Sequence, residues 1–186
     1  QPEALALGWL RNQRLVNDPS EIAAIHVDWE TESVAVISTA LQDTGLSIWE
    51  TTEKAQKPEK KTTTSGCGQG TVFGDLMEDL DKVQLSNAYN LSQEVLYSVM
   101  DQVRKHESIY KQAGAVHGCA LCSNSGANRG EILLFVEDVG RHNAVDAIAG
   151  QMWLRGMSGD DKIFYTTGRL TSEMVIKCAQ MGIPVL

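Results

Sequence analysis

The feature that most restricts the fold is the alternation of two periods along residues 92–186. Ser92 is placed to cap a long helix whose apolar positions Val95, Leu96, Val99, Met100 and Val103 share one face, with Gly114 as its end. Residues 115–121 read as a strand, 124–130 as a turn, and 132–136 as a fully apolar strand. Gly140 then precedes a helix with Val145, Ile148, Ala149 and Met152 at i, i+3, i+4 and i+7. A strand over 163–165, a break at Gly168, a helix capped by Thr171 or Ser172, and a strand beginning at 183–186 complete the run. Strands and helices that alternate in this way bury their apolar faces as layers. The expectation is an α/β fold, a layered mixed sheet with flanking helices.

The first part of the chain is patterned differently. A short apolar helix is expected over 4–10. Ala23, Ile25, Val27 and Trp29 then alternate with polar positions, and Thr31-Glu32-Ser33 turns the chain into the β-branched run 34–37, so a hairpin is expected. His26 falls on the solvent face of that hairpin. Residues 50–65 hold almost nothing to bury and read as a mobile connector. Asp75 is placed to cap a helix carrying Leu76, Met77, Leu80 and Val83. This divides the chain into a small N-terminal helix/hairpin subdomain with its connector, 1–65, and an α/β core, 66–186.

Charge narrows the function. The chain has 24 acidic and 16 basic side chains and a formal net charge of −8, which disfavours nucleic acid and anionic membrane as partners. Nothing approaches 18 consecutive apolar residues, so no membrane-spanning helix is expected. No leader pattern opens the chain at Gln1. The acidity is uneven: residues 1–116 carry 17 acids and 10 bases, residues 117–186 carry 7 and 6. An anionic ligand meets less repulsion in the second part.

Four cysteines are present, Cys67, Cys119, Cys122 and Cys178. Cys178 follows Met174 by four on an apolar helix face and reads as core. Cys67 lies among Gly66, Gly68 and Gly70, after a run of hydroxyl residues and close to Lys60 and Lys61, which favour a thiolate. A cysteine on a mobile glycine-rich arm suits a carrier better than a hydrolase, which needs a held geometry; an incidental loop cysteine is the alternative. Cys119 and Cys122 form a Cys-x-x-Cys pair with His117 ahead. Zinc binding, a redox pair and simple packing are all open, but strand alternation sends Cys119 and Cys122 to opposite faces unless a bulge at Leu121 intervenes.

Two strand-to-helix junctions carry polar chemistry: Glu137-Asp138-Val-Gly-Arg141-His142-Asn143, and Thr166-Thr167-Gly168-Arg169-Leu-Thr171-Ser172-Glu173. Helix-start amides with arginines and hydroxyls make a phosphate site at the carboxyl ends of strands. Ordinary capping, with Arg141 or Arg169 paired to Asp138 or Glu173, is the alternative. His142 is open as a base, a donor or a cap.

These same segments resemble the formate dehydrogenase accessory sulfurtransferases (the FdhD family). The match runs through Glu137-Asp-Val-Gly-Arg-His-Asn-Ala144, Gly168-Arg169 with Ser172-Glu-Met174, Gly182-Ile-Pro-Val-Leu186, Thr63-Thr-Ser-Gly-Cys-Gly68 and Ala4-Leu-Ala-Leu-Gly8. The resemblance implies a cytoplasmic, homodimeric sulfur carrier with a cytidine deaminase-like core. It implies that Cys67 is the catalytic, persulfide-bearing residue, loaded by a cysteine desulfurase. It implies that sulfur passes to the molybdenum bis(molybdopterin guanine dinucleotide) cofactor, held as a substrate and destined for formate dehydrogenase, with no permanent cofactor or metal. The cofactor-binding residues would be Arg141, His142, Asn143, Gly168, Arg169, Thr171 and Ser172.

The chain departs from the family pattern in two places. Gly70 stands where many relatives have a second cysteine, so Cys67 acts alone or with Cys119 or Cys122. Cys119 replaces the glutamate of the deaminase zinc signature, which argues against base deamination. The resemblance also implies segments before Gln1 and after Leu186, and part of the cofactor site in that tail. Two other classes stand beside the carrier: a nonenzymatic cofactor-binding chaperone, and a zinc module on His117, Cys119 and Cys122.

Overall fold

Apolar residues on one stripe need one partner; the helix Arg141–Leu154 has two. The computed structural model describes residues 1–39, 63–64, 71–72, 83–86 and 90–186. Its helices are α1 (Pro2–Asn12), α2 (Gln93–Lys105), α3 (Ile109–Ala113), α4 (Arg141–Leu154) and α5 (Ser172–Gln180). In α4 the predicted stripe of Val145, Ile148, Ala149 and Met152 is buried, and so are Asp146, Gly150 and Gln151 on other sides. The sheet covers one side and α1 the other.

The crossing of α1 and α4 is set by glycine. A Cβ at Gly8 would lie 1.6 Å from the Asp146 carbonyl oxygen, and one at Gly150 only 1.8 Å from that of Ala4. The backbones meet where no side chain fits. Nearby, Arg11 Nη1 donates to the Ala149 carbonyl at 3.1 Å and its guanidinium lies 5.2 Å from the Trp153 ring. Burial lowers the Arg11 pKa to about 10.

The main sheet has the order β6-β5-β7, with β5 (His117–Ser123) antiparallel to both β6 (Ile132–Asp138) and β7 (Lys162–Thr166). β6 and β7 therefore run the same way and end at the same edge. Val185 makes one isolated parallel bridge to Ile163, its carbonyl accepting from Phe164 N–H at 2.9 Å, where a last strand was expected; the three strands themselves pair antiparallel. One face packs Cys119, Leu121 and Phe164 against α4 and α5; the other packs Ala120, Cys122 and Ile163 against Val95 and Val99 of α2. Helices on both faces make the layered α/β arrangement.

The single long helix expected from Ser92 to Gly114 is two helices. Ser92 Oγ accepts from Val95 N–H as predicted, but α2 ends at Lys105. Ser108 then caps α3 through Lys111 N–H, while the Glu137 carboxylate takes the N–H groups of Ile109 and Tyr110 at 2.8 Å each. This second set of acceptors restarts the helix, and Gly114 at φ 65° closes it. Leu96 and Met100, assigned to the packing face, are 42% and 49% exposed.

β1 (Ile22–Asp28) and β2 (Ser33–Ser38) form the expected hairpin, with His26 exposed. Trp29 does not belong to its apolar face. The Asp28 carboxylate accepts from Glu30 and Thr31 N–H and turns the chain, leaving Trp29 75% exposed. At the end of the expected connector, β3 (Thr63–Thr64) pairs antiparallel with β4 (Thr71–Val72). Most of that connector, and most of the helix expected over 75–83, lie outside the described residues.

Candidate functional site

β6 and β7 stop at Asp138 and Thr166 on one sheet edge, flanking the start of β5. Each is followed by a tight turn and a helix. In the first turn, Asp138 Oδ1 accepts from Gly140 N–H at 2.7 Å and from Asn143 Nδ2 at 3.1 Å, which fixes the entry into α4. In the second, Thr166 Oγ1 accepts from Gly168 N–H at 3.0 Å and from the Cys119 thiol at 3.4 Å, while Thr167 Oγ1 accepts from Gly118 N–H at 2.9 Å. The turns touch one another. A Cβ at Gly168 would lie 3.1 Å from both Cβ and Cδ of Arg141.

Neither following helix has a side-chain cap among the described residues. Gly140 has nothing to offer α4. Thr171 is the N-cap of α5 by position, as expected, but its hydroxyl does not cap; it is buried with no hydrogen-bond partner among the described residues. Both α2 and α3, by contrast, have serine caps. Two helix starts without side-chain acceptors, at one edge, present amides and positive dipole ends to an anion.

The predicted residues fall into place unequally. Arg141 and His142 open α4 and are buried, at 7% and 3% exposure. Asn143 is held by Asp138, and Gly168 lies against Arg141. Arg169 and Ser172 are exposed. Cys67 lies outside the described residues; β3 and β4 flank its segment in the chain. Of the two acids expected to neutralise the arginines, Asp138 accepts from the Gly140 amide and Asn143. Glu173 lies 3.2 Å (Oε2) from His142 Nε2 and 3.6 Å (Oε1) from Lys177 Nζ.

Sequence reasoning missed what stands behind His142. Lys177 Nζ donates to Asp146 Oδ2 at 2.8 Å, and Asn12 Nδ2 donates to Asp146 Oδ1 at 2.7 Å. The chain Asn12–Asp146–Lys177–Glu173–His142 thus runs from α1 through α4 and α5 to the junction, and all five side chains are buried. Burial pushes the Asp146 carboxyl up against the pull of Lys177 and Asn12. Burial also holds His142 below its ordinary range, opposed by Glu173 and helped by Lys177 and Arg141. The signal was present in the sequence: a lone acid among the apolar residues of α4, and Glu173 four before Lys177 on the same face as Met174 and Cys178.

The zinc and redox readings of the Cys-x-x-Cys pair fail on geometry. Cys119 packs into the α4/α5 side and Cys122 into the α2 side, despite a register shift between Leu121 and Cys122 against β6. Both are fully buried, and burial raises their thiols to about 11 and about 12. They are core residues that do not converge on His117. They also make poor partners for Cys67, because a protonated, enclosed thiol neither attacks nor resolves a disulfide.

On the far face of the sheet, a cleft of about 580 Å³ opens between α2, α3 and the strands, lined by Tyr97, Met100, Tyr110, Phe135 and Tyr165. Thr167, next to Gly168 in the chain, also lines it. No helix among the described residues is long and apolar enough to cross a membrane.

Comparison with known proteins gives a consistent result. The chain is 27% identical over 186 residues to the sulfur carrier protein FdhD of Listeria monocytogenes serotype 4b, covering 99% of this chain and 66% of the relative. The Bacillus subtilis protein of the same name is 27% identical over 185 residues, covering 99% and 65%. A crystal structure of a formate dehydrogenase accessory protein from Desulfotalea psychrophila superposes with a TM-score of 0.64 at 28% identity, covering 98% of this chain and 61% of that one. The chain thus spans just under two thirds of the length of these relatives. The sequence model of the FdhD/NarQ family matches residues 1–186 without a break, and the chain belongs to that family.

Proposed function

We propose that this chain is a sulfur carrier in formate dehydrogenase maturation, with Cys67 as the sulfur-bearing residue. The observation that carries the proposal is the meeting of two helix starts without side-chain caps at one sheet edge, with Arg141 and His142 between them. Such an edge suits the pyrophosphate of a dinucleotide. The aromatic cleft beyond Thr167 suits a flat ring system. A bis(molybdopterin guanine dinucleotide) cofactor, as substrate, offers both. Family membership and the names of the relatives support sulfur carriage.

In the first step, the Cys67 thiolate attacks the terminal sulfur of a desulfurase persulfide. The donor's S–S bond breaks, the donor thiolate leaves, and a new S–S bond forms on Cys67; no net oxidation occurs. In the second step the sulfur passes to molybdenum. The Cys67 S–S bond breaks, Cys67 leaves as thiolate, and the metal supplies the two electrons that convert the sulfur to sulfide. The deaminase-like core, homodimeric assembly and cytoplasmic location belong to the same reading. The test is intact mass after incubation with a cysteine desulfurase and cysteine. Wild-type chain gains one sulfur atom and Cys67→Ala gains none. A gain in Cys67→Ala removes Cys67 from the mechanism. Formate dehydrogenase activity that survives Cys67→Ala favours a cofactor chaperone without group transfer.

A further inference from the structure

We propose that Lys177 is a positioning residue: anchored by Asp146 and Asn12, it holds Glu173 against His142 Nε2, so that His142 offers its Nδ1 lone pair to the bound ligand. The inference rests on the ligand site proposed above and assigns the part of His142 in it.

The argument starts from the 3.2 Å between His142 Nε2 and Glu173 Oε2. That contact is off the line of a hydrogen bond, yet two bare lone pairs at this separation repel. The proton therefore sits on Nε2. In a neutral ring Nδ1 is then the acceptor; neither ring nitrogen has a hydrogen-bond partner among the described residues, and only Nε2 has the Glu173 carboxylate beside it in the described ion pairs. A buried acceptor without a partner is costly unless something supplies a donor. His142 is the second residue of α4, in the same turn that lacks a side-chain cap. The donors that fit are neutral N–H or O–H groups of a bound molecule beside its phosphate, such as those of a ribose or a purine.

Glu173 needs holding because the residue is buried, at 9% exposure, beside a ring that burial keeps neutral. Among the described neighbours of Glu173, Lys177, one helical turn on, supplies a countercharge, and its other contact, Asp146, is pinned by α1 through Asn12. Among the described residues, the charged and titratable groups acting on His142 are Glu173 and Lys177 from α5 and Arg141 and Asp146 from α4. Burial dominates and keeps the ring neutral.

The test reads the histidine directly, by nitrogen-15 NMR on the full chain. Wild type shows a neutral His142 with the Nε2–H tautomer in large excess at pH 7. Glu173→Met removes the facing acceptor while Lys177 keeps Asp146; it yields a mixture of tautomers and a midpoint below that of wild type, since Glu173 pulls the midpoint up. Lys177→Met alone strands a buried carboxylate and endangers folding, so the second variant is the double Lys177→Met with Asp146→Asn. That variant unfolds cooperatively, shows the same tautomer mixture, and binds guanosine diphosphate about tenfold more weakly. An Nδ1–H tautomer in wild type, or a single Nε2–H tautomer kept in both variants, overturns the relay. Failure of wild type to bind guanosine diphosphate counts against the ligand class proposed above, while the tautomer result still decides the role of Lys177.

Discussion

At the scale of single residues, the cysteines divide by burial. Cys119, Cys122 and Cys178 are buried in the core, with pKa values raised by desolvation. With midpoints near 11 and 12, the thiolate fraction of Cys119 and Cys122 at pH 8 is on the order of one in a thousand or less. The expected outcome is that folded Cys67→Ala protein takes up no iodoacetamide at pH 8, and that all three remaining thiols react in guanidinium, read by intact mass. Labelling of Cys119 or Cys122 in the folded protein contradicts the packing described above. The sequence made half of this legible. Alternation along β5 already sends the two side chains to opposite faces, but their depth comes from α2 on one side and α4 with α5 on the other, which no local pattern carries. Behind His142, the lone acid of α4 and the Glu173–Lys177 spacing were legible, but their union with α1 was not, since Asn12 and Asp146 are separated by 134 positions.

At the scale of elements, the crossing of α1 and α4 is the most exacting contact. Replacing Gly150 with alanine drives a methyl into the Ala4 carbonyl, so the helices must part. The expected loss is about 3 kcal/mol or more, which lowers the melting temperature by roughly 6–12 °C in a chain of this size. Differential scanning calorimetry of Gly150→Ala checks it, and a shift of under 2 °C, roughly half a kcal/mol, means α1 does not sit as described. Periodicity located both helices but showed only the sheet-facing stripe of α4. The second contact was written in small residues, Ala4 and Gly8 on α1 and Gly150 on α4, whose meaning appears only once the helices are paired. The break between α2 and α3 escaped for a different reason. Half of its cap is Glu137, a residue of β6, so the helix restart depends on a strand folded elsewhere in the chain.

At the scale of the whole molecule, the buried relay makes stability depend on pH. The fold holds His142 below 6.5, chiefly by burial, whereas in the unfolded chain it titrates near 6.5. Below that pH the unfolded state binds a proton that the fold resists. This part of the stability is therefore intact above about pH 6.5 and is lost as the pH falls toward the folded midpoint. Urea unfolding from pH 7.5 to 5.5 is expected to show declining stability in wild type and a shallower decline in His142→Gln. Equal slopes contradict the assignment. The glycine contact also has a mechanical consequence. Gly150 is pinned on α1, nine positions along the helix from Arg141, about 13.5 Å at 1.5 Å per residue. Asp146 is clasped against Gly8 and Asn12 as well, so α4 stands on α1 as a post held at two levels, and its first turn, opening at Arg141, lies beyond the clasp.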